Sequence, residues 1–197
     1  MNKSICLLVL YSVMPILAQN SIINGDFDTN VLSWSFTTPG TFTHNASLDA
    51  DGDPMSGSGE LANTSPVAFG TSFAAQCVNG IVAGNSYDFG ARIRFDTSNT
   101  QTASGRANVV VSFFDGPNCS GMNLGGTTTS NIVSTTTDTW IQAEILGFIA
   151  PAMAVSAQVS LFTVKTEDTG TMTVNFDNAV FGPAGILPVE LTEFSVD

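Results

Sequence analysis

The residues best suited to chemistry in this chain are closely spaced acids. Asp49-Ala50-Asp51-Gly52-Asp53 sets carboxylates at alternate positions. Calcium loops present ligands in this way to a cation that takes about six to eight oxygens. A helix-flanked calcium loop would also need glycine after its third acid. Pro54 stands there instead, although Glu60 falls at the loop's twelfth position, and no flanking helix is evident. The stretch reads either as a long loop lending one ligand, Asp51, to a site completed elsewhere, or as an ordinary Asp/Gly turn. A second stretch, Asn24-Gly25-Asp26-Phe27-Asp28, places two acids around a Phe with Trp34 just beyond. That fits an enzyme site, or a strand whose aromatics fill a core while an acid faces a cation.

Sugar-type recognition has its own candidates. Arg92 and Arg94 alternate along one run and share its outward side. Asn108, Ser112, Gln142, Glu144, Gln158 and Ser160 are candidates to lie on the same face, where such groups hydrogen-bond hydroxyls. The competing reading is that both arginines pair with surface acids. Phe42, Phe69, Phe73, Phe114 and Phe162 are candidates for exposed aromatics. Catalysis has little support. His44 is the single histidine, and no nucleophile elbow accompanies it. One His and two paired Cys make zinc implausible, and no phosphate-binding loop is present.

The elements that would position these residues are strands. Tyr87, Phe89, Ala91, Ile93 and Phe95 alternate with polar or small residues, as do Val109, Val111 and Phe113. The same holds for Val155, Ala157, Val159 and Leu161, and for Met172, Val174 and Phe176. Turn signals separate the runs: Asp51-Gly52, Ala83-Gly84-Asn85, Asp115-Gly116-Pro117, Gly125-Gly126 and Thr169-Gly170. No stretch carries a helical stripe. Thr127-Thr128-Thr129-Ser130 and Thr135-Thr136-Thr137 flank Ile132-Val133 and read as loops around an exposed edge strand. This pattern predicts an all-β antiparallel jelly-roll sandwich.

The first eighteen of the 197 residues have the layout of a secretory signal peptide. Lys3 precedes an apolar run from Ile5 to Leu17, and Ala18 supplies the small residue for cleavage. The expected mature chain starts at Gln19, and no later run is apolar enough to span a bilayer. The formal net charge is −12, from five Lys and Arg against seventeen acids. Such a balance argues against nucleic acid and anionic membranes as partners. Removing Cys6 with the signal peptide leaves Cys77 and Cys119, which in an exported chain predict one disulfide, with two free thiols as the alternative.

The order of several short motifs resembles that of the carbohydrate-binding modules of galactose-binding-domain-like fold that accompany cellulases and xylanases. The motifs are Asn24-Gly25-Asp26-Phe27-Asp28, Trp34, Ser56-Gly57-Ser58-Gly59, Ala83-Gly84-Asn85-Ser86-Tyr87, Trp140, Ala150-Pro151-Ala152 and Phe176-Asp177-Asn178, and they cover residues 21–182. The resemblance implies that Trp34, Tyr87 and Trp140 are core residues. It implies that arginines such as Arg92 and Arg94 line a concave sheet. It also implies that the acid of a first strand, Asp28, meets the acid of the last, Asp177, on a structural Ca²⁺. Two departures stand out: Asp28 replaces the family's Glu, and the terminal acidic pair is Asp177-Asn178. The paired cysteines resemble a subset of secreted bacterial proteins of this fold. The tail Leu187-Pro188-Val189-Glu190-Leu191-Thr192-Glu193-Phe194-Ser195 resembles a segment near the C-termini of many exported bacterial proteins.

These readings predict a signal peptide over 1–18, a jelly-roll domain over 19–183 and an extended tail over 184–197. The expected function is a secreted, non-catalytic module that binds polysaccharide or a cell-surface glycan. Arg92, Arg94, Asn108 and Gln158 form the expected ligand set, and Asp28, Asp177 and Asp51 the expected metal set. The alternative is an extracellular structural or adhesive protein whose partner is another protein or the cell envelope. A face combining an aromatic with Arg, Asn or Gln separates the first from the second.

Overall fold

A computed structural model describes residues 19–37 and 39–186. The expected signal peptide and the tail from 187 onward lie outside the described residues. Among the described residues eleven strands run β1 (Ser35–Phe36), β2 (Gly40–Asn45), β3 (Ser58–Asn63), β4 (Thr71–Asn79), β5 (Ser86–Arg94), β6 (Gly105–Phe114), β7 (Asn123–Thr128), β8 (Ile132–Val133), β9 (Ile141–Ile149), β10 (Ser156–Lys165) and β11 (Met172–Pro183). They form two antiparallel sheets. One is six-stranded in the order β1-β4-β10-β6-β7, with β8 also on β6, and the other is five-stranded in the order β2-β3-β11-β5-β9.

The alternation expected from the sequence builds the core. Val109, Val111 and Phe113 of β6, with Ala157, Val159 and Leu161 of β10, are buried from one side. Phe89, Ala91 and Ile93 of β5, with Met172, Val174 and Phe176 of β11, are buried from the other. Successive side chains of a strand point to opposite faces, so each sheet keeps an inner apolar face and an outer face of different composition.

Three details differ from the expectation. Residues 24–28 are not a strand: Asn24 and Phe27 both take positive φ, at 55° and 47°. That kink drives Phe27 into the core, where its ring lies 5.6 Å from Trp34 and 5.8 Å from Phe42. The Trp34 indole donates to the Asn24 carbonyl at 3.0 Å. Gly125-Gly126 is no turn but part of β7, where a Cβ on Gly126 would lie 1.8 Å from the Val111 carbonyl oxygen. Trp140 is only half-buried. Ile141 packs against the core, so by alternation its neighbour faces away from it.

The disulfide joins Cys77 to Cys119 across 42 residues of chain. It fixes the short turn Pro117–Cys119 against β4. Nearby, Asn79 and Asn118 exchange hydrogen bonds at 2.8 and 2.7 Å. A cross-link of that span removes enough unfolded-chain entropy to stabilise the fold by about 4 kcal/mol. Replacing both cysteines by serine is therefore expected to lower the unfolding free energy by about that amount. Urea titration of the double variant and the oxidised parent measures the difference.

Candidate functional site

The acids singled out from the sequence converge on one hollow of about 470 Å³, lined by Asp26, Asp28, Asp49, Asp51, Asp53 and Arg92 among others. Local geometry explains each placement. The kink at Phe27 turns Asp26 and Asp28 outward on either side of a buried ring. Ser56 bonds both, donating its hydroxyl toward the Asp26 carbonyl at 3.3 Å and the Asp28 carboxylate at 3.1 Å. The 49–53 loop is wound on its own first acid, since Asp49 Oδ1 accepts from the amides of Asp51 and Asp53 at 2.9 and 2.7 Å. Asp177 sits where β11 breaks register between Asp177 and Val180. It has no exposed surface and accepts the amides of Ala50 and Asn178 at 2.7 and 2.8 Å.

Electrostatics sets these groups apart. Burial pushes the Asp177 carboxyl up to about 7, against the two amides that favour its ionised form and with help from nearby Asp49 and Asp26. Asp26 is raised as well, first by burial and then by Asp28, Asp51 and Asp49. Asp51 is already engaged on both oxygens, one 3.2 Å from the Arg92 guanidinium and the other accepting from the Asn178 amide at 2.9 Å. Arg92 also donates to the Ala50 carbonyl at 2.9 Å. Among the described residues, no three His, Cys, Asp or Glu side chains are grouped closely enough to grip an ion as they stand.

The expected ligand set divides between the two sheets. Arg92 and Arg94 lie on the outer face of the five-stranded sheet, with Gln142 registered beside Arg92. Both arginines are committed to acids. Arg92 binds Asp51, and Arg94 binds Asp96 through its Nε at 2.7 Å and approaches Asp138 at 3.9 Å. Burial alone would raise Asp96, but the Ser98 hydroxyl and amide and the Arg94 guanidinium hold it below its usual range. Asn108 and Gln158 lie on the outer face of the other sheet, with Ser112 and Ser160. The expectation of one shared face is therefore corrected. Alternation shows which residues share a side of a strand, not which strands share a sheet, and the successive strands β5 and β6 part company.

The outer face of the six-stranded sheet holds what sequence reasoning left unplaced. Phe73 of β4 and Phe162 of β10 are direct cross-strand partners, half-buried, and their rings stack at 5.9 Å with a 17° tilt. Asn108 is the next residue in that row. Its amide nitrogen is fixed on the Asn131 side chain at 2.8 Å, while its Oδ1 is buried with no hydrogen-bond partner. Ser160 and Gln158 follow along β10. No strand of this sheet contains an Asp or Glu. The signal for this face was present in the sequence: Phe162 falls on the opposite parity to Ala157, Val159 and Leu161.

No protein-family model matches the chain, and no curated protein matches its sequence. Solved structures do match its fold. A xylan-binding domain of carbohydrate-binding-module family 22 overlays with a TM-score of 0.62 and 19% identity, over 86% of this chain and 98% of that one. The C-terminal family 22 module of Clostridium thermocellum Xyn10B overlays with a TM-score of 0.61 and 20% identity, over 83% and 94%. The enzymatically active domain of bacteriophage CBA120 tailspike protein 4 overlays with a TM-score of 0.59 and 17% identity, over 83% of this chain but only 21% of its own. The fold is thus the antiparallel β-sandwich of carbohydrate-binding modules. The two of these that it matches over nearly their full length are binding modules.

The raised carboxyl of Asp177 has a consequence for stability. Its folded value of about 7 lies above its ordinary 3.8, so between the two the folded state holds a proton that the unfolded state has lost. The contribution to stability is full below about 3.8 and disappears as pH rises through about 7. In chelator-treated protein, Asp177→Asn is expected to remove that decline. Unfolding free energies of parent and variant at several pH values check it, and parallel curves would show that Asp177 titrates normally.

Proposed function

We propose that this is a secreted, non-catalytic carbohydrate-binding module that takes a polysaccharide across the outer face of its six-stranded sheet. The observation that carries the reading is the Phe73–Phe162 pair in register with Asn108 and beside Ser160 and Gln158. Apolar ring surface suits the C–H face of a pyranose, and amides and hydroxyls both donate to and accept from its hydroxyls. An unsatisfied buried carbonyl such as Asn108 Oδ1 costs about 1–3 kcal/mol until a donor reaches it, and a sugar hydroxyl or a bridging water is such a donor. Arg92 and Arg94 are left out because their charge is already spent on acids. Xylan binding by a structural neighbour supports the ligand class. The single histidine supports the absence of catalysis: His44 Nε2 is buried against Gly57 with no hydrogen-bond partner, so neither a hydroxyl nor a carboxylate is set on it.

The test is titration calorimetry against soluble xylan and other β-linked glucans, mannans and galactans. Phe162→Ala is expected to weaken the bound polysaccharide about tenfold with little change in melting temperature. Silence across the panel would overturn the reading in favour of an adhesive protein that binds another protein or the cell envelope.

The acidic hollow belongs to the same proposal as a structural Ca²⁺ site. The residues fit the ion in type and charge: Asp177 is a fully buried carboxylate close enough to Asp49 and Asp26 to feel their charge, and the hollow beside it is lined by five acids and one guanidinium. Asp28 and Asp177 would hold the ion, with Asp51 joining if it exchanges Arg92 for the metal. The ion would supply charge compensation and tie the N-terminal segment to the last strand. Saturating Ca²⁺ at a hundredfold excess over its dissociation constant adds about 2.7 kcal/mol. A melting temperature raised by Ca²⁺ over EDTA, with the rise abolished in Asp28→Ala, is the expected result. An identical melting curve in both would remove calcium from the account.

A further inference from the structure

Four cationic side chains fall among the described residues, and three are spoken for. Arg92 and Arg94 bind acids, and Lys165, fully buried, donates to the carbonyls of Thr169 and Gly170 at 2.9 and 2.8 Å. The fourth, Arg106, is exposed and makes no ion pair or side-chain hydrogen bond with any described residue. Its place is informative. Arg106 stands on the outer side of β6, two residues before Asn108, and is registered against Val164, two residues beyond Phe162. The free guanidinium therefore lies at the end of the same strip as the stacked Phe73 and Phe162 and the unsatisfied Asn108 Oδ1. Glu167, on the turn after β10, is held by the Ser104 amide and hydroxyl at 2.7 and 2.5 Å and does not pair with Arg106.

Charge is segregated in the same sense. The strands of the five-stranded sheet carry Glu60, Asp88, Glu144 and Asp177, whereas those of the six-stranded sheet carry no acid at all. In a chain of net charge −12 that is a marked asymmetry. Packed sheets lie about 10 Å apart, and at physiological ionic strength exposed charges are screened over about 8 Å. Through solvent, the acids of one outer face are largely screened from the other. On the strands of the Phe73–Phe162 sheet Arg106 is the one exposed charged side chain, and Glu167 in the adjoining turn is occupied by Ser104.

We propose that the Arg106 end of this face is a subsite for a carboxylate, so that the polysaccharide bound there carries uronic acid residues. The inference rests on the polysaccharide-binding reading and narrows its ligand class. A planar guanidinium pairs with a carboxylate through two parallel N–H···O bonds, a geometry that a neutral hydroxymethyl group cannot reproduce. The aromatic pair then seats a neighbouring sugar ring, and Asn108 and Ser160 lie within the row that joins the two.

The experiment uses one polymer in two forms: glucuronoxylan, and the same glucuronoxylan with its carboxyl groups reduced to alcohols. The purified full chain is expected to bind the acidic form about tenfold more tightly at low salt, with the gap closing as salt rises. Arg106→Gln should bring the acidic form down to the affinity of the reduced form and leave the reduced form unchanged. Phe162→Ala should weaken both. Equal affinity for the two forms, or an Arg106→Gln variant that keeps the preference, overturns the carboxylate subsite while leaving polysaccharide binding intact. Binding of neutral glycans with none of glucuronoxylan does the same. Failure of every glycan to bind overturns both.

Discussion

The seam between the N-terminal segment and the last strand organises the rest of the molecule. Ser21 donates to the Phe181 carbonyl at 2.8 Å, and the Ala179 amide donates to the Gly25 carbonyl at 3.0 Å. Only glycine fits at position 25, because a Cβ there would lie 2.2 Å from the Ala179 carbonyl oxygen. Gln76, from inside β4, grips Ile23 through both amide and carbonyl, at 3.1 and 2.5 Å. The segment is thus clamped between the two sheets. With its path fixed, the left-handed turns at Asn24 and Phe27 have one outcome: the ring goes to the core and the two flanking acids go to the surface. The bulge in β11 is the matching half of the same seam, and it is what sinks Asp177. Packing and charge are coupled here, since the turn that buries Phe27 also sets Asp26 and Asp28 on the wall of one hollow, with Asp177 buried behind it beside Asn178.

That coupling gives the two outer faces different characters. The five-stranded sheet carries the acids on its outer side and neutralises part of their charge with Arg92 and Arg94. Arg92 holds the 49–53 loop down by its Ala50 carbonyl and its Asp51 carboxylate, and Arg94 bonds Asp96 in the turn after β5. The six-stranded sheet has the reverse arrangement. Its outer side is built from Phe, Val, Ser, Asn and Gln, and among its polar groups Asn108 Oδ1 and the Arg106 guanidinium lack partners among the described residues.

The parts of this molecule that could be read from the sequence were those governed by local periodicity. Period-two runs at Tyr87–Phe95, Val109–Phe113, Val155–Leu161 and Met172–Phe176 identified strands, and the composition identified a sandwich. The pair Cys77–Cys119 followed from cysteine counting. What could not be read depends on which strands become neighbours. Arg92 and Asn108 look equivalent along the chain, both polar positions on alternating strands, yet they face opposite directions from the molecule. Positive φ at Asn24 and Phe27 was equally hidden, because neither is glycine and their conformation is imposed by contacts with residues far along the chain. The acid-free strands, by contrast, were in plain view. They carry weight only once those strands are known to form one sheet.

The charge pattern also bears on why a strongly acidic chain is compatible with an acidic ligand. Net charge governs long-range encounter, and at −12 it slows the approach of any polyanion. Affinity is decided at contact distance, after screening has removed most of that field. Strands free of carboxylates add little repulsion at contact, which leaves the proposed preference for an anionic sugar to the Arg106 guanidinium. The acids of the hollow lie on the far side of the sandwich, beside the seam between the N-terminal segment and β11. Segregating the two on opposite sheets lets one small domain keep a carboxylate-rich hollow and a cation-tipped outer face without either cancelling the other.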